Sequence, residues 1–275
     1  MSKVALVMGV ETEWDRAVLV GLYQQLAAQD RLYFVVPDPA FGQAMCRQIQ
    51  ALGSTSKIRA GAAPPKLAFE VLDRSDADAV GDLAQRLRIR HGGLSVLINP
   101  LAQPLDKSLS DKCQVREFIR TNNLAASALL QSMLPVLLAE ARVVMVASAL
   151  GCLRQLAQPL QARFDTDGAQ FADIDAVMQH YVEAVEQGTA KAEGWPDWLQ
   201  IPSQVGRVAL TRVAAQWLAR ERPDSNILIN AVCPDLHEGK ASVDVKDVLW
   251  LASRPVGSPS PQGQLVQGRS ELPWQ

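Results

Sequence analysis

Six near-continuous apolar runs of strand length, each followed by an amphipathic helical pattern or a loop, limit this chain to few folds. They are Val4–Met8, Arg31–Val36, Lys66–Leu72, Leu94–Ile98, Ala141–Ser148 and Asn226–Pro234, with Gly263–Val266 completing the pattern near the end. Unbroken hydrophobicity marks strands covered on both faces, as in a parallel sheet. The intervening patterns place Val18, Leu19, Leu22 and Leu26 on one helix face and Val80, Leu83, Ala84 and Leu87 on another. A second helix is predicted over Pro39–Leu52, a long one over about Ser110–Leu138, and a last one over Val243–Ala252. Continuing alternation of strand and helix predicts a single α/β domain spanning residues 1–275.

Composition narrows the function classes. At 275 residues, 48% hydrophobic and 20% charged, the chain can bury a large core. A net charge of −2 with no basic run argues against nucleic acid and anionic membrane as partners. Met1-Ser2-Lys3 leads straight into the first strand without a secretory pattern, and the most apolar helical segment, Leu124–Leu138, contains Gln131 and Pro135. A cytoplasmic location is the expectation. Cys46, Cys113, Cys152 and Cys233 are widely spaced, which predicts buried thiols and neither a zinc site nor a redox pair. His237-Glu238 lacks the second histidine of a zinc-binding helix, so no metal is expected.

The first strand opens into a tight loop and a helix, the arrangement in which nucleotide-binding folds seat phosphate over free amides. Here the loop reads Met8-Gly9-Val10-Glu11-Thr12-Glu13-Trp14-Asp15. A carboxylate about 4 Å from a phosphate charge is unfavourable by roughly 1 to 4 kcal/mol. Glu11, Glu13 and Asp15 also suit the first turn of a helix, whose dipole favours negative charge. Far along the chain, Gly194-Trp195-Pro196 precedes a long helical pattern in which Val205, Val208, Ala209, Val213, Trp217 and Leu218 form a buried stripe.

These stretches resemble the short-chain dehydrogenase/reductase superfamily, and the Gly-Trp-Pro lead-in looks like its carbonyl reductase-like branch. The resemblance runs from Val4 to Trp274 through Gly9, Leu72-Asp73, Thr121-Asn122, Arg142-Val143-Val144 to Ser148, Gly194-Trp195-Pro196 and Asn230-Ala231. It implies a Rossmann-like, doubly wound parallel sheet of about seven strands. Ser148 matches the family's catalytic Ser, and Asn122 the Asn of its catalytic tetrad. Gln200 and Gln204 stand where the Tyr and Lys belong. Gly9, Asp73 and Asn99 match positions that line the cofactor in relatives.

Other positions depart from the family. Only the first glycine of its Thr-Gly-x-x-x-Gly-x-Gly loop survives, Pro37 stands where an Arg meets a 2′-phosphate, and Asn99-Pro100-Leu101-Ala102 replaces Asn-Asn-Ala-Gly. Asp235 replaces a Gly after the sixth strand. A carboxamide has no usable acidic proton near neutral pH, so Gln200 cannot protonate a carbonyl oxygen as a Tyr hydroxyl can. Ser148 has no nucleophile elbow, and the sequence places none of His91, His180 and His237 beside it.

The expectation is therefore a pseudoenzyme with no bound cofactor, acting by binding a protein partner or a small-molecule ligand in the old active-site cleft. The alternative is a divergent NADP(H)-dependent carbonyl reductase, or an enzyme of another class reusing the Ser148 cleft with Asn122, Gln200 and Gln204. The segment at about 151–193, with a helical stripe from Phe171 to Val185, is similar to the insertion of monomeric carbonyl reductases and implies a monomer.

Overall fold

A computed structural model describes residues 2–55, 63–100, 104–234 and 244–275, the side chains of 53–55 excepted. The surface loop expected at Ser54–Pro65 falls largely outside these residues, as do Leu101, Ala102 and Asp235–Lys240.

The order of elements follows the apolar runs. Strand β1 (Val4–Val7) leads to α1 (Glu13–Gln25), β2 (Arg31–Val36), α2 (Pro39–Thr55), β3 (Lys66–Val71), α3 (Ala77–His91) and β4 (Leu94–Asn99). Then come α4 (Asp111–Ile119), α5 (Ala125–Met133), β5 (Leu137–Val146), α6 (Gln158–Gln161), α7 (Phe171–Gln187) and α8 (Gln200–Glu221). The chain closes with β6 (Leu228–Val232), α9 (Lys246–Ala252), β7 (Leu265–Gln267) and β8 (Ser270–Leu272). The sheet has eight strands in the order β3-β2-β1-β4-β5-β6-β7-β8. All neighbouring pairs are parallel except β7 with β8. The short antiparallel β8 adds one strand to the seven the sequence implied.

The strands are hydrophobic on both sides because helices cover both faces. One face packs Val80, Leu83, Leu130, Met133, Tyr181, Val205 and Val213 from α3, α5, α7 and α8. The other packs Val18, Leu19, Leu22, Met45, Ile49 and Leu251 from α1, α2 and α9. Because β1 and β4 are neighbours although distant in sequence, the chain reverses direction across the sheet there. In such folds a cleft opens beyond the carboxyl ends of the strands at this point.

Three local features differ from the sequence expectation. The long helix predicted over Ser110–Leu138 is interrupted by a π turn at Arg120–Leu124 and ends at Met133. Pro135 has no amide to continue the helix, so Leu134–Val136 tightens to a 3₁₀ turn and β5 starts at Leu137. The thiols are also not uniformly buried: Cys152 and Cys233 are, Cys46 is partly covered, and Cys113 is exposed. Helix α8 is buried nearly all round rather than along one stripe, with Ser203, Gln204, Arg207 and Thr211 among its covered residues. Among the described residues no helix is long and apolar enough to cross a membrane.

Candidate active-site cleft

The cleft lies over the carboxyl ends of β1, β4 and β5, and its floor is tied together by one side chain. Arg207, on α8, is 2% exposed. Its Nε donates to Val146 O at 2.9 Å, Nη1 to Asn122 O at 2.9 Å, and Nη2 to Pro100 O at 3.0 Å. The end of β5, the π turn and the residue after β4 are thus held by a single guanidinium. Arg207 forms no ion pair among the described residues, and its acceptors are backbone carbonyls. Burial first, and the field of Arg74 second, push its pKa down to about 10, which still leaves it charged at neutral pH.

A second buried pair locks α8 to the π turn. Asn123 Nδ2 donates to Ser203 O at 2.8 Å, and Ser203 Oγ donates to Asn123 Oδ1 at 2.7 Å. Gly206 allows this approach, since a Cβ there would lie 2.8 Å from both Asn123 Nδ2 and Met178 Sδ. π turns are frequent at functional sites because the extra residue re-aims side chains. Here the turn places Asn122 and Asn123, 1% and 0% exposed, against α8.

Of the sequence-predicted residues, Asn99 and Asn122 line this cleft, and Ser148, Gln200, Gln204, Gly9 and Asp73 do not. Ser148 follows β5 and caps a 3₁₀ turn, its Oγ accepting from Leu150 N at 3.2 Å. That turn rests on α8: a Cβ on Gly151 would meet Val208 Cγ2 at 2.6 Å and Gln204 O at 2.9 Å. Gln200 opens α8 and is partly exposed, whereas Gln204, one turn on, is 7% exposed. The Oε1 atom of Gln204 is buried without a hydrogen-bond partner among the described residues. Asn99 ends β4, is 7% exposed, and lines the cleft with Met8, Arg74, Asn122 and Arg207. No histidine joins Ser148 among the described residues: His91 Nε2 meets Tyr33 OH at 2.8 Å, His180 Nε2 meets Glu193 Oε2 at 2.6 Å, and His237 lies outside them.

Asp73 serves its own turn. Its Oδ1 accepts from Ser75 N at 2.8 Å and Ser75 Oγ at 2.7 Å, and these bonds hold its pKa below the usual carboxylate value. At the mouth of β1, Gly9 adopts φ +121°, which an L side chain rarely adopts. The three acids after it do not act alike. Asp15 turns inward, 2% exposed, to accept from Thr12 N at 2.9 Å while Thr12 Oγ1 accepts from Asp15 N at 3.1 Å. This reciprocal cap satisfies two helix-start amides. Glu11 pairs with Arg74 at 3.6 Å, and Arg74 Nη1 also donates to Met8 O at 3.3 Å.

Comparison with known proteins gives a consistent picture. No family model matches the chain. NADPH carbonyl reductase 3 of Rattus norvegicus is 29% identical over 286 residues, covering 99% of each protein. The Homo sapiens protein of the same name is 29% identical with the same coverage, and NADPH carbonyl reductase 1 of Sus scrofa is 28% identical over 99% of this chain and 94% of its own length. Among solved structures, salutaridine reductase from Papaver somniferum superimposes with a TM-score of 0.74 over 96% of this chain and 99% of its own, at 18% identity. Over its whole length the chain is similar to NADPH carbonyl reductases, and it shares the fold of salutaridine reductase, in keeping with the resemblance to short-chain dehydrogenase/reductases.

These relatives overturn the expectation that no cofactor binds. The proteins matched over the whole chain are NADPH carbonyl reductases by name, and a structural neighbour, NADH-dependent reductase A1-R′ at TM-score 0.62 and 16% identity, is complexed with NAD. Two of the three acids are engaged within the chain, Asp15 by the helix cap and Glu11 by Arg74, so neither stands as a free charge at the loop.

The residues around Gly9 fit a phosphate of such a cofactor once the side chains above the glycine move aside. A Cβ on Gly9 would meet Glu11 Oε2 at 2.7 Å and Arg74 Nη1 at 2.8 Å, so the nearest atoms above the glycine are the ends of two flexible side chains. Gly9, Arg74 and Asn99 are the residues that would hold the nucleotide. Sequence reasoning missed Arg74, Arg207 and the Asn123–Ser203 pair. The available signals were a charged residue inside the buried stripe of α8 and an arginine directly after a strand-end aspartate.

Proposed function

We propose that this protein binds a nicotinamide dinucleotide in the cleft but has exchanged the family's proton-transfer groups, and acts as a ligand-binding or regulatory protein rather than as a carbonyl reductase. The observation that carries this reading is the first turns of α8. Gln200 and Gln204 occupy the positions that match the family's Tyr and Lys, and neither carboxamide can deliver a proton near neutral pH. The buried cation of the region is Arg207, one turn further along, whose guanidinium is spent on three backbone carbonyls.

A bound nicotinamide would supply a hydride; what this chain's own residues supply is binding and orientation. Ser148 offers a hydroxyl at the end of β5, and Gln204 Oε1 is a buried acceptor that a donor group on a ligand would satisfy. The occupant of the cleft besides the nucleotide is a small molecule or a segment of a protein partner, and the chain acts as a monomer in the cytoplasm. The second reading, a divergent NADPH-dependent reductase, is favoured by the full-length similarity to carbonyl reductases.

Titration with NADPH and NADH, followed by Trp14 fluorescence and by Tm, tests both. Trp14 sits in the first turn of α1 beside the Gly9 loop, so binding should change its emission. At a ligand concentration about 100 times Kd the folded state gains roughly 2.7 kcal/mol, a clear rise in Tm. No change with either nucleotide at millimolar concentration would refute the binding reading. Turnover of small carbonyl compounds with NADPH by the wild-type chain would establish the reductase instead.

A further inference from the structure

The cleft between the ends of β1 and β4 is lined by two arginines, Arg74 and Arg207, and by no carboxylate among its described residues. Arg207 lies at the base, 2% exposed, without an anionic partner. Arg74 lies at the rim, its side chain 19% exposed, tethered to Met8 O and facing Glu11, whose side chain is 45% exposed. Glu11 reaches in from the loop and sets its carboxylate directly above Gly9, where a Cβ would meet Oε2 at 2.7 Å. A glycine with positive φ at a strand end leaves room for a close approach, and here the visitor is this chain's own acid.

Resting on the reading that the cleft takes a nicotinamide dinucleotide, we propose that Glu11 is an internal stand-in for phosphate: an entering phosphoryl group displaces its carboxylate from above Gly9 and takes Arg74 as its ion-pair partner. The exchange is asymmetric. Arg74 is the more covered partner and is anchored to a backbone carbonyl, so it stays, while the more exposed Glu11 swings into water at little cost. Withdrawal of the carboxylate leaves the Arg74 guanidinium without an anion, and the buried charge of Arg207 below adds to the positive field of the cleft. An arginine fork is suited to planar recognition of phosphate oxygens. The pair therefore sets the affinity of the nucleotide: the chain competes with its own ligand.

Calorimetric titration of NADPH, inorganic pyrophosphate and adenosine into the wild-type chain, Glu11→Gln, Arg74→Met, Arg74→Lys and the double variant Glu11→Gln/Arg74→Met tests this. Glu11→Gln should bind NADPH and pyrophosphate roughly 5- to 30-fold more tightly, the effect of one screened charge contact. Arg74→Met should weaken both, alone and in the Glu11→Gln background, with Arg74→Lys between it and the parent. Adenosine, which carries no phosphate, should be indifferent to every change. If Glu11→Gln binds neither phosphorylated probe more tightly than the wild type, or if Arg74→Met costs nothing, the exchange is refuted. The outcomes also separate the two claims. Pyrophosphate following the expected order while NADPH fails to bind would sink the dinucleotide reading alone. NADPH binding regardless of Glu11 and Arg74 would sink the exchange alone.

Discussion

At the scale of single residues, Arg207 carries the most consequence. Burying a guanidinium without a carboxylate is costly, and three carbonyl acceptors at strand and turn ends offset that cost. Arg207→Met would leave those carbonyls unpaired and remove three charge-assisted bonds. It should destabilise the fold by about 2 to 4 kcal/mol in urea unfolding, with Arg207→Lys intermediate because an ammonium lacks the fork. A loss below about 1 kcal/mol would mean that the carbonyls find other partners. Gly151 is the second sensitive residue. A methyl group there would lie 2.9 Å from the backbone oxygen of Gln204, which cannot rotate away. Gly151→Ala should therefore cost about 1 to 3 kcal/mol and shift the turn that carries Ser148.

At the scale of elements, the junction of α5 and α7 contains a titratable group. Ser127 Oγ donates to Asp175 Oδ2 at 2.9 Å, and Oδ1 of Asp175 is buried without a partner among the described residues. Burial raises the Asp175 pKa from 3.8 to about 6, and the Ser127 bond only partly opposes it. The folded chain thus keeps a proton that the unfolded chain releases at lower pH. Stability contributed by this group is present at low pH and is lost as pH rises from about 4 through about 6, then stays level. Asp175→Asn keeps an acceptor for Ser127 and removes the titration. It should raise Tm above about pH 6, by an amount equivalent to roughly 1 to 2 kcal/mol after allowing for partial solvent screening, and leave Tm unchanged near about pH 4. A gain that is the same at both pH values would show that the carboxyl does not titrate in this window.

At the scale of the whole molecule, the sheet order brings the ends of β1, β4 and β5 to one edge, and α8 closes the cleft over them. The cation that orders this edge is supplied from position 207 rather than 204. Gln200→Tyr/Gln204→Lys should therefore not restore carbonyl reduction, because the new ammonium would sit one turn from a buried guanidinium that already holds the π turn. Vigorous NADPH-dependent reduction by this double variant would show that Arg207 does not obstruct the ancestral arrangement. Strand positions, helix faces and membership of an α/β architecture were legible in the residues because both depend on local hydrophobic periodicity. Gln200 and Gln204 were legible as residues at the start of α8, since the Gly194-Trp195-Pro196 lead-in sets where that helix begins. The acids near Gly9 were read as repelling an anion, because a sequence shows how many charges a loop holds and not where they point.

What the chain determines by itself is the alternation of buried strands and amphipathic helices, set by side chains close in sequence. Tertiary structure alone decides which charges meet. Arg74 reaches Glu11 across 63 positions, and Arg207 reaches Pro100, Asn122 and Val146 on three separate segments. Electrostatic energy depends on distance in space and on exclusion of water, and neither is written in the spacing of residues along the chain.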